Sequence, residues 1–103
     1  MYINTGGEKV YPGEVEDIIS ENTKVEHVAI VGVPDERWGE AVTAIVQLRK
    51  NKKATEEEII DFCRGKMARY KLPKKVIFVD SMPLMAEGRP WYPKIKEMLK
   101  KER

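Results

Sequence analysis

The sequence has 103 residues, of which 42% are hydrophobic and 35% are charged, and its formal net charge at pH 7 is +2. A chain of this length forms one domain with a modest core, and it is too small to enclose by itself the cleft of a multi-substrate enzyme. The composition excludes a disordered or collagen-like chain, no apolar run is long enough to span a membrane, and the single cysteine, Cys63, excludes an internal disulfide.

Turn residues and hydrophobic periodicity divide the chain into short strands and helices. Gly6 and Gly7 predict a tight turn, because glycine adopts positive φ without steric cost. Thr55 and Glu58 form a capping box at the start of a helix, and Pro73 ends any helix before it. The elements expected in chain order are strands 1–4 and 9–11, a helix from Pro12 to about residue 22, strands 25–33 and 41–48, a helix from Thr55, a strand 76–79 and a helix from Pro93.

This order of elements predicts an α+β domain. We expect a small two-layer sandwich, in which a sheet of about three main strands is covered by helices and is preceded by an N-terminal β-hairpin. No repeat or internal linker interrupts the pattern, so residues 1–103 are expected to form a single domain.

The charged residues are unevenly distributed. Residues 1–20 hold four acidic side chains against one lysine, whereas residues 64–75 hold six basic side chains and no acidic one. Because Tyr70 adds an aromatic face, this basic segment suits a nucleotide or another phosphate ligand, although it also suits a solvated helix end. Its six cations are Arg64, Lys66, Arg69, Lys71, Lys74 and Lys75.

Three loops offer further candidates, each with a plain structural alternative. Residues 6–8 form either an ordinary hairpin turn or a turn that a ligand approaches closely. Trp38, in a polar loop, is either a lid on the core or a stacking platform. Arg89, beside Gly88 in a long loop, is either part of a plain connection or a cation that is delivered to an anionic transition state.

Other reactive side chains show no functional pattern. Cys63 lies on the apolar stripe of its helix, so we expect it to be an inert core residue. His27 stands at the head of a strand without a surrounding motif, and we expect a structural role. No spacing predicts a metal site or a phosphate-binding loop of the Walker type.

Four segments carry motifs whose order is informative, namely residues 2–16, 31–40, 70–74 and 83–89. They read YINTGGEKVYPGEVE, VGVPDERWGE, YKLPK and PLMAEGR. In this order they resemble the C-terminal domain of adenylate-forming acyl-CoA synthetases, and residues 3–11 and 90–92 are most similar to the fatty-acyl branch. Each motif alone is weak, but the resemblance extends over nearly the whole chain.

The resemblance implies part of a two-step ligase reaction. ATP and a carboxylic acid, here a fatty acid, form an acyl-adenylate and pyrophosphate, and CoA then yields acyl-CoA and AMP. In that family a large N-terminal domain, which this sequence does not include, binds ATP and the acid and supplies most of the contacts to Mg²⁺. The C-terminal domain is a mobile lid, so residues 1–103 alone are expected to be inactive. The implied partners are the N-terminal adenylation domain and a small carboxylic acid, with no nucleic acid and no transmembrane segment.

The resemblance also implies roles for individual residues. The turn that lines the CoA channel corresponds to Gly6, Gly7 and Glu8. The CoA nucleotide is contacted in some relatives at positions that correspond here to Trp38, Tyr70 and Lys74. A lone cysteine and the lack of a signal-like segment predict a cytoplasmic setting.

Arg89 departs from the family pattern, because it stands where the family has its catalytic lysine. Arginine keeps the charge and can grip a phosphate, but its planar guanidinium is not interchangeable with a compact ammonium. Adenylation could therefore use Arg89, be slower, use Lys94 instead or be lost.

Two alternatives to a ligase domain remain open. The first is a stand-alone module that binds a nucleotide, CoA or RNA through residues 64–75. The second is an inactive interaction domain, which the replacement at Arg89 suggests.

Overall fold

The computed structural model describes residues 1–101, which form helices and strands in the expected order. The expected loop over residues 34–39 is shorter than predicted, because strand pairing continues to Asp35 and resumes at Gly39. The elements are β1 (Ile3–Thr5), β2 (Glu8–Val10), α1 (Pro12–Ser20), β3 (Val25–Asp35), β4 (Gly39–Leu48), α2 (Glu56–Cys63), a 3₁₀ turn (Arg69–Lys71), β5 (Lys75–Phe78) and α3 (Tyr92–Lys101).

β4 is the centre of a five-stranded sheet. β3 pairs antiparallel with β4 along its whole length, so it occupies one edge of that strand. The other edge is shared, because β1 pairs antiparallel at Thr5 and Gly39 and β5 runs parallel beside residues 43–46. The α+β class is thus confirmed: β3, β4 and β5 are the main strands, and the N-terminal hairpin of β1 and β2 joins the same sheet.

Both faces of the sheet are covered. On one face, Val15 and Ile19 of α1 and Ile59 and Cys63 of α2 pack against the strands, and all four side chains are fully buried. On the other face, Ile95 of α3 packs with residues whose side chains point the opposite way along β3 and β4. These strands are apolar on both sides for this reason, and the expected core position of Cys63 is confirmed.

Local sequence signals explain the helix ends. The side chain of Thr55 accepts a 3.1 Å hydrogen bond from the amide of Glu58, which satisfies one of the free donors at the start of α2. Pro12 begins α1, where its missing N–H costs nothing. Among residues 1–101, no helix is both long enough and apolar enough to cross a membrane.

Candidate functional site

Trp38, Tyr70 and Lys74, which the sequence places in two distant segments, line a single surface groove of about 550 Å³. We call it the Trp38 groove. It combines aromatic faces and cationic side chains with an apolar floor, a combination that suits a planar base carrying phosphates. The other residues that line it are Ile60, Arg64, Arg69, Leu72 and Pro73.

The segment before β5 brings Tyr70 and Lys74 to the groove. After the 3₁₀ turn, Leu72 is extended, as the following proline requires, and Pro73 is buried. The amide of Lys74 then donates a 2.8 Å hydrogen bond to the carbonyl oxygen of Val42, which attaches the segment to the central strand. An ion pair between Lys71 and Glu14 also ties the 3₁₀ turn to α1.

The loop after β3 holds Trp38. The carboxylate of Asp35 accepts hydrogen bonds from the amides of Arg37, at 2.8 Å, and Trp38, at 2.9 Å, which forms the tight turn that aspartate favours. The Nζ atom of Lys74 lies 4.6 Å from the centroid of the Trp38 ring, within cation–π range. The indole and the ammonium thus lie side by side at the groove.

The glycine turn adjoins the same tryptophan. Gly6 and Gly7 have φ of +58° and +85°, which confirms the predicted turn, and the amide of Gly6 donates a 2.8 Å hydrogen bond to the carbonyl oxygen of Trp38. A Cβ atom on Gly6 would lie 3.2 Å from Cε3 of Trp38, whereas one on Gly7 would meet open space. Glu8 is exposed at the start of β2. The turn and the groove are therefore contiguous.

The basic segment 64–75 is less uniformly cationic in space than in sequence. Arg64 pairs with Asp61 at 2.9 Å, Lys71 pairs with Glu14, and Lys66 donates to the carbonyl oxygen of Phe62 at 2.8 Å. The hydrogen bond to Glu14 raises the pKa of Lys71.

The cations of this segment that line the Trp38 groove are Arg64, Arg69 and Lys74.

Arg89 lies in a different groove, of about 660 Å³, between α1, the start of β3 and the segment before α3. Its side chain is 73% exposed, and its Nη2 atom lies 3.4 Å from a carboxylate oxygen of Glu87. An ion pair this exposed constrains a side chain little, so the guanidinium is free to meet an incoming anion. His27 also lines this groove, a position that its sequence surroundings did not indicate. Lys94, on α3, is exposed.

A contact between α1 and α3, which sequence reasoning missed, forms part of the wall of this second groove. The hydroxyl of Tyr92 donates to Oε2 of Glu16, and the amide of Ile30 donates to the same oxygen at 2.9 Å. Burial of the phenol, with the hydrogen bond to Glu16, raises the pKa of Tyr92 well above its usual range. No local signal could have revealed this pair, because 76 positions of chain separate the two residues.

Comparisons with known proteins agree on one family. The family model of AMP-binding enzyme C-terminal domains matches residues 14–89. The long-chain-fatty-acid–CoA ligase FadD13 of Mycobacterium tuberculosis is 46% identical over 87 residues, which are 84% of this chain and 17% of that protein. The human mitochondrial medium-chain acyl-CoA ligase ACSF2 is 40% identical over 96 residues, which are 93% of this chain and 16% of that protein.

Solved structures give the same result. A fatty acyl-CoA synthetase of Mycobacterium tuberculosis superimposes with a TM-score of 0.86 at 42% identity, over 94% of this chain and 19% of that one. Apo MatB from Rhodopseudomonas palustris superimposes with a TM-score of 0.88 at 37% identity, over 97% of this chain and 20% of that one. The chain thus spans less than a quarter of the length of these relatives.

Proposed function

The chain belongs to the family of AMP-binding enzyme C-terminal domains, and from this premise we propose that it is the mobile lid domain of an ATP-dependent acyl-CoA ligase. The resemblance to adenylate-forming acyl-CoA synthetases is confirmed by the family match and by relatives that are themselves acyl-CoA ligases. The proposed overall reaction converts a fatty acid, ATP and CoA into acyl-CoA, AMP and pyrophosphate. The long-chain and medium-chain ligases among the relatives support a fatty acid as the substrate.

The observation that carries the proposal is the Trp38 groove. An adenine ring can stack on Trp38 or Tyr70, because an aromatic face accepts any base. Arg64, Arg69 and Lys74 can neutralise the phosphates of a CoA nucleotide, and arginine in particular pairs with two phosphate oxygens at once. The residues present therefore fit the nucleotide part of CoA.

The glycine turn next to Trp38 extends this binding surface. Without side chains at Gly6 and Gly7, the backbone can approach a thin chain such as pantetheine closely. The amide of Gly6 is hydrogen-bonded to the carbonyl oxygen of Trp38, so the turn is attached directly to the loop that carries the tryptophan of the groove. We assign Gly6, Gly7 and Glu8 to the channel through which the thiol of CoA reaches the acyl group.

Arg89 is assigned to the other half of the reaction. Its guanidinium would stabilise the charge that develops when the acid attacks the α-phosphate of ATP. The groove that contains Arg89 and the Trp38 groove share no lining residue. Rotation of one rigid domain can therefore present first Arg89 and then the Trp38 groove to the same acyl group. The N-terminal domain would bind ATP and the acid and supply most of the contacts to Mg²⁺. The complete enzyme would work in the cytoplasm.

The proposal is tested by measuring the two half-reactions separately in the protein that carries this chain. Lys74→Ala should raise the KM for CoA about tenfold in thioester formation, since a charged phosphate contact is lost, and leave acid-dependent ATP–pyrophosphate exchange unchanged. Arg89→Ala should slow the exchange and leave thioester formation from supplied acyl-adenylate unchanged. Lys75→Ala is the matched control, because Lys75 is in the same basic segment but outside the lining of the Trp38 groove.

Two outcomes would contradict the proposal. Equal loss of both half-reactions in Lys74→Ala and Arg89→Ala would show that the Trp38 groove and Arg89 do not serve separate half-reactions. Full turnover by residues 1–103 alone would show that no second domain is needed. A stand-alone RNA-binding module would instead show oligonucleotide affinity that falls steeply with salt and no acid-dependent exchange.

A further inference from the structure

Arg89 is carried by a small hairpin, residues 83–91, which we call the Arg89 hairpin. Leu84 and Pro90 form an antiparallel bridge, and the amide of Met85 donates a 2.8 Å hydrogen bond to the carbonyl oxygen of Arg89. Gly88 closes the tip with φ of +92°, a conformation that other residues adopt only with strain. The segment expected to be a long loop therefore has a defined backbone at Arg89.

The base of the hairpin continues directly into α3. The amide of Trp91 donates a 3.0 Å hydrogen bond to the carbonyl oxygen of Pro83, and the amide of Ile95 donates a 3.1 Å hydrogen bond to the carbonyl oxygen of Trp91. Pro90 fixes one backbone torsion between Arg89 and the helix. The hairpin and the first turn of α3 are thus linked by continuous backbone hydrogen bonds, so a contact that restrains Tyr92 also restrains the backbone that carries Arg89.

Tyr92 is held by a carboxylate that joins three elements. The carboxylate of Glu16, on α1, accepts hydrogen bonds from the hydroxyl of Tyr92 and from the amide of Ile30, which lies on the edge of β3 that faces away from β4. The side chains of Glu16 and Tyr92 are both partly buried. A hydrogen bond to an ionised acceptor is about twice as strong as one between neutral groups. The tip of the hairpin is highly exposed by contrast, and within residues 1–101 the ion-pair partner of Arg89 is Glu87 of the same hairpin, at 3.4 Å.

We propose that the hydrogen bond from Tyr92 to Glu16 holds the Arg89 hairpin in place against α1 and β3, so that Tyr92 and Glu16 are positioning residues for Arg89. Neither side chain needs to touch a substrate. The consequence for adenylation rests on the proposed function, whereas the consequence for the hairpin itself does not.

Hydrogen exchange in the protein that carries this chain tests the structural part. Tyr92→Phe keeps the ring and removes the donor, so the amides of Met85, Gly88 and Trp91 should exchange about tenfold faster, as expected for loss of one hydrogen bond to a charged group. The amide of Lys74, bonded to β4, should be unaffected. Tyr11→Phe is the matched control, because Tyr11 is exposed. Unchanged exchange of the hairpin amides in Tyr92→Phe would overturn the proposal.

The half-reactions test the positioning role. Tyr92→Phe should lower kcat for acid-dependent ATP–pyrophosphate exchange about tenfold and leave thioester formation from supplied acyl-adenylate within about twofold. Loss of stability alone would lower both half-reactions together, and that result would overturn the positioning role. If the wild-type protein shows no acid-dependent exchange while the hairpin amides still respond to Tyr92→Phe, the proposed function fails and the hold on the hairpin is established.

A second variant keeps the test informative if Tyr92→Phe fails to fold. Glu16→Gln leaves an oxygen that accepts from Ile30 but removes the charge that strengthens the bond from Tyr92. Hairpin exchange should rise in the same direction by a smaller factor. No rise in a folded Glu16→Gln protein would contradict the proposal.

Discussion

The amide of Gly6 donates a 2.8 Å hydrogen bond to the carbonyl oxygen of Trp38, and so joins the N-terminal hairpin to the loop between β3 and β4. Because a Cβ on Gly6 would lie 3.2 Å from the indole, the turn also packs directly on the ring. The glycine turn near the start of the chain therefore contacts the tryptophan of the Trp38 groove, and a substitution in that turn should change the position of the indole.

Gly6→Ala should destabilise the protein by about 1–2 kcal/mol, because an alanine at φ of +58° is strained and its methyl group presses on Trp38. Denaturant unfolding measures this loss. Gly7→Ala separates the two causes, since it has positive φ and open space and should show the strain alone. Gly13→Ala, in α1 with open space, is the control and should be neutral or slightly stabilising. Equal effects at Gly6 and Gly13 would contradict this account.

Arg89→Lys should raise the rate of acid-dependent ATP–pyrophosphate exchange in the protein that carries this chain. A compact ammonium can approach a carboxylate and a phosphate together more closely than a planar guanidinium can. Lys94→Ala tests whether Lys94, which is exposed on α3, acts in place of Arg89. If Arg89 is the cation that adenylation uses, Lys94→Ala should leave the exchange rate unchanged. No gain from Arg89→Lys would show that Arg89 does not stand in for a lysine.

Cys63 should resist thiol reagents in the folded protein and react at once after denaturation. Its side chain is fully buried between α2 and the sheet, and burial raises the pKa of the thiol despite the opposing charge of Lys66, so little thiolate forms at neutral pH. Absorbance assays with a disulfide reagent, with and without denaturant, measure this difference. Rapid labelling without denaturant would show that α2 opens readily from the sheet.

The free energy of unfolding should decrease above about pH 10 because of the ionisation of Tyr92. Burial and the bond to Glu16 raise its pKa in the folded state, so the unfolded chain loses the phenolic proton first. The contribution is complete below pH 10 and decreases as pH rises, by at most about 1.4 kcal/mol per pH unit.

Urea unfolding at pH 9 and pH 11 measures this loss, which should be smaller in Tyr92→Phe. Lys71, whose pKa is also raised, titrates in the same range but is present in both proteins, so the difference isolates Tyr92. Equal losses in the two proteins would show that Tyr92 does not titrate differently on unfolding.

The local structure could be predicted from the sequence because its causes are local. The capping box of Thr55 and Glu58, the positive φ of Gly6 and Gly7, and the alternating faces of the strands each depend on residues a few positions apart. The position of Cys63 on an apolar stripe was sufficient to predict its burial. The resemblance of four motifs added the family, which the comparisons confirm.

The tertiary structure alone decided which distant side chains meet. The sequence placed six cations in one segment, but only the fold paired Lys71 with Glu14 and left Lys74 beside Trp38. It also joined Tyr92 to Glu16 across 76 positions, and so gave the hairpin of Arg89 its anchor. Burial of apolar surface has no direction, so patterning predicts which face turns inward but not which polar groups then meet. Sheet register and the crossing of helices decide that, and they are properties of the whole fold.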